Sequence, residues 1–451
     1  MASSLLLFIT LLHTSLLIRS STSTTVTLPL AHFLPNPVPP SQLKLLNSLV
    51  STSLARAKFL KSPQQPAINA NTPLSAHSYG AYSTPLSFGT PPQTIPFVIQ
   101  TATDFTWLPC THKYICKDCN SPPPPPSFIP KASSSARFLP CLNPKCGWFH
   151  NTEASSRCQD CQPESPNCTQ VCPPYIISSG SGYTGGVLLS ETLDLTPLKP
   201  IPDFIIGCSV FSSKQPAGVL GLGRGPASFP TQLNLTRFSY CLLSHRFDDT
   251  SKTSNLVLDL GGPTTSSQKT PNLSYVQFTR NPPAFPTYYY LPLRKMTVGG
   301  RRVKIPYKFL NPGTDGSGGT IIDSGSAFSS MAGDVFAAVS TELVTQATYV
   351  RDAEMESRTG LTPCFNVSGI QTVSFPEMSL YFKGGAKMAL PLANYFSFMG
   401  ESSEAVCLTV VKDESGASGG PAVILGNYQM QNFYTEFDLR NGRFGYKPQI
   451  C

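Results

Sequence analysis

Charged residues are scarce in this sequence, and long apolar runs are almost absent from it. Only 13% of the 451 residues are charged, against 40% that are hydrophobic, so apolar material suffices for a full core. The chain is also too long for one simple core, and we expect two lobes. After residue 18 no stretch reaches the roughly 18 uninterrupted apolar residues that a membrane helix needs, so no membrane partner is expected.

Catalytic motifs that depend on histidine or on an exposed serine are also missing. The histidines beyond residue 76 are spread along the chain, at His77, His112, His150 and His245, and neither an HExxH motif nor a nucleophile elbow occurs. We therefore expect neither a metal or serine hydrolase nor a bound metal or cofactor. The net charge of +8 lacks a basic stripe, so nucleic acid is not an expected partner. The charge is interpreted as aiding solubility, with adhesion to an acidic matrix as a second interpretation.

Proline and glycine are abundant, with 44 and 33 residues, and the proline content is nearly twice the average of about 5%. This composition disfavours long helices and predicts strands broken by turns. Residues 81–88 alternate roughly as a strand does, and residues 89–93 have the composition of a turn. We expect an all-β fold.

The N-terminal part differs from the rest. Residues 1–22 are interpreted as a secretory signal peptide, because their apolar run is too short to span a bilayer, although Lys and Arg are missing at their start. Residues 23–76 lack Cys and Gly and contain one helical stretch, Gln42 to Lys61, with a leucine stripe. Its polar positions include Lys44, Arg56, Lys58 and Lys61. We interpret residues 23–76 as a removable pro-segment or N-terminal arm, with an ordinary surface helix as the alternative.

Fourteen cysteines fit an oxidised protein. Nine of them lie within residues 110–172, a region with few periodic apolar residues that disulfides must hold together. Two Cys-x-x-Cys pairs in this region would also suit zinc, but a secreted chain favours disulfides. Sequons for N-glycosylation agree with secretion and occur at Asn167, Asn234, Asn272 and Asn366.

Two stretches share one plan, in which an apolar strand ends in small polar residues. Residues 97–110 place Gln100 after Val98 and Ile99, and residues 319–328 place Asp323 after two isoleucines. An apolar-apolar-Gly unit follows each of them about a hundred residues later, at Gly221 and at Gly426. An internal duplication explains this order, with a carboxylate in one half and an amide at the matching place in the other.

A string at residues 180–185 matches G-x-G-x-x-G, which is a dinucleotide fingerprint. A Rossmann turn must open a helix, whereas residues 187–195 alternate with period two. We therefore predict the tip of a β-hairpin at this place.

Taken together, these motifs resemble those of the pepsin-like aspartic peptidases, in particular the plant nepenthesin-type branch. The matches extend over most of residues 78–451 and comprise residues 88–93, 101–107 with Cys110, the hairpin after Cys172, and residues 206–208, 221–225, 238–242, 323–326 and 426–428. The resemblance implies a bilobal pepsin-like fold with an interlobe cleft and a flap hairpin. We assign the N-terminal lobe to residues 77–236 and the C-terminal lobe to residues 237–451.

The resemblance implies peptide hydrolysis by two carboxylates that share one proton, one acting as general base and the other polarising the scissile carbonyl. Here Gln100 stands in place of the first aspartate, and an amide neither takes nor gives a proton near physiological pH. Asp323 is then a single carboxylate. Asp104 is no substitute, because the family pattern already has an aspartate at that place.

Other site positions are implied by the same resemblance. Ala102 replaces a glycine that lets two loops approach closely, while Thr101 and Ser324 keep hydroxyls that cross-bond the loops. Ser179 replaces the flap tyrosine, and a register slip that lets Tyr183 substitute for it stays open. The predicted cleft and flap residues are Thr101, Thr103, Ser179, Tyr183, Ser324 and Ser326.

The resemblance also suggests four disulfides: Cys241 with Cys451, Cys364 with Cys407, Cys119 with Cys208, and Cys110 with Cys116. Cys141 and Cys146 should pair with two of the four cysteines Cys158, Cys161, Cys168 and Cys172, and the remaining two are undetermined.

The sequence thus predicts a catalytically impaired aspartic-peptidase homologue that acts by binding a polypeptide. The alternatives are an active acid endopeptidase using Asp323 and an inhibitor of extracellular glycoside hydrolases, so the question of enzymatic activity stays open. We expect a monomeric, disulfide-bonded glycoprotein of a plant apoplast or cell wall, with the vacuole as a second location.

Overall fold

The computed structural model describes residues 24–33, 41–62, 80–117, 119, 126–150, 158, 161, 168–178, 182–215, 217–244, 253–261, 269–400, 404–413 and 419–451. The predicted signal peptide, Ser179 and the sequon at Asn167 lie outside the described residues. Within the described ranges, no helix combines the length and the apolar character needed to cross a bilayer.

The described part of the chain is built mainly from strands. The first thirteen are β1 (Thr25–Phe33), β2 (Ala81–Phe88), β3 (Gln93–Gln100), β4 (Trp107–Pro109), β5 (Ile115–Lys117), β6 (Arg137–Phe138), β7 (Tyr175–Ser178), β8 (Tyr183–Asp194), β9 (Ile201–Ser213), β10 (Gly218–Gly221), β11 (Arg237–Cys241), β12 (Thr253–Asp259) and β13 (Ser274–Gln277). The others are β14 (Tyr290–Leu291), β15 (Leu293–Val298), β16 (Arg301–Arg302), β17 (Thr320–Ile322), β18 (Ser329–Ala332), β19 (Cys364–Asn366), β20 (Met378–Phe382), β21 (Lys387–Leu390), β22 (Phe396–Met399), β23 (Ala405–Leu408), β24 (Val410–Asp413), β25 (Val423–Leu425), β26 (Phe433–Asp438) and β27 (Arg443–Pro448).

Within the described ranges, helices are few and mostly short. They are α1 (Gln42–Lys61), α2 (Gly147–His150), α3 (Phe229–Gln232), α4 (Tyr307–Leu310), α5 (Gly333–Gln346) and α6 (Ala353–Thr359). The 20-residue helix α1 has the predicted bounds, and the side chain of Ser41 caps its start by accepting a hydrogen bond from the backbone N–H of Lys44.

The strands of the described residues form four sheets. The largest has 15 strands in the order β13-β27-β26-β11-β12-β1-β2-β3-β10-β4-β9-β8-β6, with β5 on β9 and β7 on β8. It joins strands from both halves of the chain, whereas the other three sheets are built from residues beyond 289: β14-β17-β25-β18-β24, β16-β15-β20-β21 and β19-β23-β22. The predicted hairpin is present, because β7 pairs antiparallel with β8.

Strand β1 connects the two halves of the large sheet. It pairs antiparallel with β12 from Thr25 to Ala31 and with β2 from Ala31 to Phe33. The sequence analysis did not predict this strand. Val26 and Leu30 point into the core with polar or partly exposed neighbours between them, a period-two signal that Pro29 interrupts.

The predicted duplication is visible in the strand pairing. In the first half β3 runs parallel to β10, with Gln100 opposite Gly221. In the second half β17 runs parallel to β25, with Ile322 opposite Leu425. Both apolar-apolar-Gly units therefore lie beside the strand whose end carries the polar loop.

Seven disulfides connect the fourteen cysteines. The expected pairs Cys241–Cys451 and Cys364–Cys407 form. Cys141 pairs with Cys158 and Cys146 with Cys172, as the sequence allowed, which leaves a third pair, Cys161–Cys168.

Two predicted disulfides were wrong, Cys110 with Cys116 and Cys119 with Cys208. Instead Cys110 pairs with Cys208, and Cys116 with Cys119. The parallel register of β4 and β9 explains this, because Leu108 lies opposite Cys208 and the Cα atoms of Cys110 and Cys208 are 5.1 Å apart. Cys116 on β5 lies opposite Ser212, which is four residues beyond Cys208 on β9. Cys119 follows Cys116 in the chain and therefore lies still further from Cys208 along the strand.

Candidate polypeptide-binding cleft

Two polar loops meet where the halves of the chain face each other, one after β3 and one after β17. The side chains of Thr101 and Ser324 bond them in a symmetric way. The backbone N–H of Thr101 donates to Ser324 Oγ at 3.2 Å, and the N–H of Ser324 donates to Thr101 Oγ1 at 3.0 Å. Each hydroxyl in turn donates to a carbonyl of the other loop, that of Ile322 or of Ile99. The loops are thereby held at a fixed distance.

Asp323 is completely buried at this junction. Its Oδ1 accepts from the backbone N–H groups of Ala102 and Gly325, at 3.2 and 3.1 Å, and its Oδ2 accepts from the hydroxyl of Ser326 at 2.8 Å. The carboxylate is therefore held by both loops, and Ser326 is a direct partner of it.

Arg56 of helix α1 forms a two-point ion pair with Asp323. Its Nε donates to Oδ2 at 2.9 Å and its Nη2 to Oδ1 at 3.2 Å. The side chain of Arg56 is only 4% exposed and that of Asp323 is 0% exposed. Burial alone would raise the pKa of Asp323, but the charge of Arg56 and the hydrogen bonds to the carboxylate outweigh it and lower the pKa below its ordinary value of 3.8.

Gln100 is buried beside this pair. Its Oε1 accepts from Thr103 Oγ1 at 2.7 Å, and the hydroxyl of Thr103 also accepts from Nη2 of Arg56 at 3.0 Å. A Cβ atom at residue 325 would lie only 2.8 Å from Cγ of Gln100, so glycine is needed at residue 325. The structure therefore brings together Gln100, Thr101, Thr103, Asp323, Ser324 and Ser326.

Helix α1 supplies more than its arginine to this region. Ser53 Oγ accepts from the backbone N–H of Phe328 at 3.0 Å, and the hydroxyl of Tyr288 donates to the carbonyl of Leu60 at 3.2 Å. Lys61 forms an ion pair with Asp413 in which both side chains are nearly buried. The buried residues of the helix are Leu46, Leu49, Val50, Ser53, Arg56, Ala57, Leu60 and Lys61.

The sequence analysis placed Arg56 and Lys61 among the polar positions of α1, but both side chains are buried. Residues three and four apart share a helix face. Arg56 follows Ser53 by three and precedes Leu60 by four, and both of these are buried. Arg56 could have been identified as buried from its spacing, because it is a basic residue that lies on the same helix face as the apolar stripe. Lys44 and Lys58, which were placed among the same polar positions, are exposed.

Comparison with known proteins assigns a family to this geometry. Models of the xylanase inhibitor N-terminal and C-terminal domains match residues 82–277 and 288–448. A probable aspartyl protease of Arabidopsis thaliana is 31% identical over 414 residues, covering 82% of each chain. Aspartic proteinase nepenthesin-1 of Nepenthes gracilis is 31% identical over 380 residues, covering 82% of this chain and 78% of the relative. The chain belongs to the plant pepsin-like aspartic peptidase family.

Solved structures agree with this family at the level of the fold. The crystal structure of edgp matches with a TM-score of 0.64 and 17% identity, covering 95% of both chains. Basic 7S globulin from soybean matches with a TM-score of 0.60 and 17% identity, covering 95% of this chain and 96% of that one. The predicted all-β, bilobal pepsin-like fold is confirmed.

Two further departures from the family pattern can be located. The backbone N–H of Ala102 still reaches Asp323, and the cross-bonds form with its methyl group present, so this methyl group does not separate the loops. The ring of Tyr183 packs edge-on against Phe211 and is 44% exposed. Whether it substitutes for the flap tyrosine of the family stays a prediction, because Ser179 is not described.

The remaining predicted positions lie on the surface. The sequon asparagines Asn234, Asn272 and Asn366 are exposed, so glycosylation there stays a prediction that their exposure permits. The described residues contain no cluster of His, Cys, Asp and Glu side chains that could hold a metal ion.

Asp104 provides a pH prediction for this family member. Burial raises the pKa of its carboxyl to about 6, although the backbone N–H of Gly225 donates to it at 2.8 Å. The folded state therefore holds a proton that the unfolded chain releases near pH 3.8. The stabilisation is complete below pH 3.8 and is lost as the pH rises through about 6. Between these two pH values, the free energy of unfolding should fall by about 1 kcal/mol per pH unit because of Asp104. Asp104→Asn should remove this dependence on pH. Thermal melts from pH 3.5 to 7.5 test this, and equal slopes in both proteins would contradict it.

Proposed function

We propose that this chain is a secreted member of the family that has lost most or all of its peptidase activity and acts by binding a polypeptide in the cleft. The observation that carries the proposal is that Asp323 pairs with Arg56 while the amide of Gln100 lies beside them. The family reaction needs two carboxylates that share a proton. In this cleft one carboxylate has a cationic partner, and its neighbour is an amide.

The protonation state of Asp323 supports the same proposal. Arg56 lowers the pKa of the carboxyl, so Asp323 stays ionised in mild acid. An ionised Asp323 can serve as a base, but it has no protonated carboxyl partner to polarise a scissile carbonyl. Gln100 donates only weakly polarised amide hydrogens, and its carbonyl oxygen is already bonded to Thr103. The chemistry of the site therefore favours binding over hydrolysis.

The occupant of the cleft is itself a polypeptide. Helix α1 buries eight residues there and contacts both polar loops through Arg56. We propose that residues 23–76 are an arm whose helix α1 occupies the cleft until a partner displaces the helix. Extracellular location agrees with seven disulfides, which persist in oxidising compartments.

Proteolysis assays test this function directly. The full chain and Asp323→Asn are incubated at pH 3–6 with a denatured protein, with and without pepstatin, before and after limited removal of the arm. We expect no pepstatin-sensitive cleavage by either protein. Cleavage by the parent chain that disappears in Asp323→Asn would establish the alternative function, an acid endopeptidase.

Restoring the second carboxylate should have a small effect by itself. We expect Gln100→Asp to yield little activity in the full chain, because Arg56 still holds Asp323 ionised and Ala102 and Ser179 still depart from the family pattern. The assay is cleavage of denatured protein at pH 3–6, with the double variant Gln100→Asp/Asp323→Asn as control. Activity in Gln100→Asp that equals the activity of an active nepenthesin would show that the other departures are neutral.

The match to the xylanase inhibitor domains favours a second candidate, inhibition of an extracellular glycoside hydrolase. This function needs a protein surface and no working dyad. Titration of a secreted xylanase with the purified chain tests it. Loss of hydrolase activity at one equivalent of the chain supports this candidate, and unchanged activity at a large excess excludes it for that enzyme.

A further inference from the structure

We infer that the partner bound by this cleft is an amphipathic helix that carries an arginine on its apolar face. The inference rests on the proposed function, because it names the class of polypeptide that the same cleft takes. It differs from the binding of an extended peptide, which would pair its backbone with strands and alternate its side chains.

The spacing of the contacts carries the first step. The buried residues of α1 extend from Leu46 to Lys61, and they recur at intervals of three and four. In a helix these 15 steps span about 22 Å, whereas an extended chain would need about 50 Å. The side chains that make these contacts share one face only if the ligand is helical.

Two apolar surfaces of the cleft receive this face. Leu46, Leu49 and Val50 pack in one cluster with residues of the C-terminal half that include Phe328 and Tyr428. At the other end, Ala57 and Leu60 pack with Ala102, Tyr288, Ile321 and Ile424. The second cluster contains Ala102, which follows β3, and Ile321 of β17, so a helix in this place contacts both halves.

A polar centre lies between the two apolar surfaces. Asp323 and Thr103 together accept three hydrogen bonds from the guanidinium of Arg56. Arginine suits this arrangement because its planar fork matches a carboxylate at two points, whereas lysine offers a single point charge. The cleft therefore specifies one residue type at one position of the helix.

The helix of this chain leaves part of the site unfilled. A groove of about 540 Å³ remains beside α1, lined by Val50, Leu54, Lys58, Phe336 and Val411 among others. Leu54 and Lys58 are four residues apart on the side of the helix that faces this space. A ligand helix with a larger apolar residue at the place of Leu54 would fill the groove and bury more area. The helix of the arm is therefore an occupant that a better-fitting helix can replace.

The test uses the full chain with its own helix weakened and a labelled peptide added. Arg56→Glu in the full chain places a like charge opposite Asp323, and Arg56→Gln is the milder second variant if the first folds poorly, as judged by a thermal melt. The probe is a fluorescein-labelled synthetic peptide of residues 42–61, followed by anisotropy. We expect saturable binding of this peptide at one equivalent per chain.

Peptide variants then separate the features of the ligand. Arg56→Gln in the peptide should weaken binding at least about 30-fold, while Lys44→Gln, which removes the same charge at an exposed position outside the groove, should change it less than about threefold. Ala55→Pro breaks the helix and leaves every buried side chain in place, and it should weaken binding more than about 100-fold. Leu54→Trp should bind more tightly than the parent peptide.

Three outcomes would overturn the inference. Equal affinity of the Ala55→Pro peptide would mean extended binding. Equal losses in Arg56→Gln and Lys44→Gln would mean unspecific charge attraction. No binding of the parent peptide to either weakened chain would exclude a helical ligand. Mass spectrometry of the bound peptide separates the two proposals. Peptide cleavage that depends on Asp323 would contradict the proposed loss of activity. Binding of an unfolded polypeptide without binding of the helical peptide would agree with the proposed function and contradict this inference.

Discussion

Arg56→Met in the full chain is expected to release helix α1 from the cleft while the two lobes stay folded. The change leaves the carboxylate of Asp323 buried without its cationic partner. Losing one member of a buried ion pair costs about 3–5 kcal/mol, and the remaining bonds from Ser326, Ala102 and Gly325 put this case at the lower end. Hydrogen exchange of the amides of residues 42–61 should accelerate by about two orders of magnitude or more.

Lys44→Met is the matched control, because it removes a charge from an exposed position of the same helix and should leave the hydrogen exchange of the helix unchanged. The double variant Arg56→Met/Asp323→Asn should lose less free energy of helix docking than the two single variants lose in sum, because neither charge is then left without its partner. Strict additivity would mean that the ion pair does not hold the helix.

The ion pair also sets the acid limit of the docked helix. The pKa of Asp323 is lower in the folded state than its ordinary value of 3.8. Its contribution to stability is therefore present above pH 3.8 and is lost as the pH falls through the folded-state pKa. In the parent chain α1 should therefore stay docked at pH 4–5, and hydrogen exchange at those values would show this.

Alanine in place of Gly221 or Gly426 is expected to destabilise the body of the protein strongly. A Cβ at Gly221 would lie 2.7 Å from backbone atoms of Asp104 and Phe105, and one at Gly426 would lie 2.6 Å from the carbonyl carbon of Phe328. Backbone cannot rotate away as a side chain can, so each change should cost about 3 kcal/mol, the upper end for overpacking. Denaturant unfolding measures this loss as a lowered midpoint.

Gly147→Ala is the matched control, since a Cβ there meets no atom within 4 Å and the residue opens helix α2. It should be neutral or slightly stabilising, by at most about 1 kcal/mol. The two equivalent glycines should behave alike, because each N–H also donates to a hydroxyl, that of Thr106 or of Ser329. A large loss at one glycine and none at the other would contradict the duplicated packing.

Local patterns predicted much of this fold. Helix α1 was placed at its bounds because its leucine periodicity lasts for 20 residues, and β2 because its alternation ends at a glycine turn. The repeated residue order predicted a duplication, and the structure shows it as the parallel pairs of β3 with β10 and of β17 with β25, which the sequence analysis did not predict.

Pairings between residues that are far apart in the sequence could not be predicted from local patterns. Strand β1 lies beside β12, more than two hundred residues away, and its Pro29 hides the alternation. The partner of Cys110 depends on the register of β4 with β9, which no local pattern encodes. Arg56 was misplaced because polar residues on a helix are assumed to face water, and only the presence of Asp323 opposite makes its burial favourable.

The arm and the body of the protein share no covalent bond except the chain between residues 62 and 80. All seven disulfides lie within residues 110–451, whereas β1 adds seven paired residues to β12. A single cut between residues 62 and 80 therefore yields two polypeptides that copurify as one particle. They run as two bands on a denaturing gel even without reductant, and a tag on the short polypeptide still retrieves the long one.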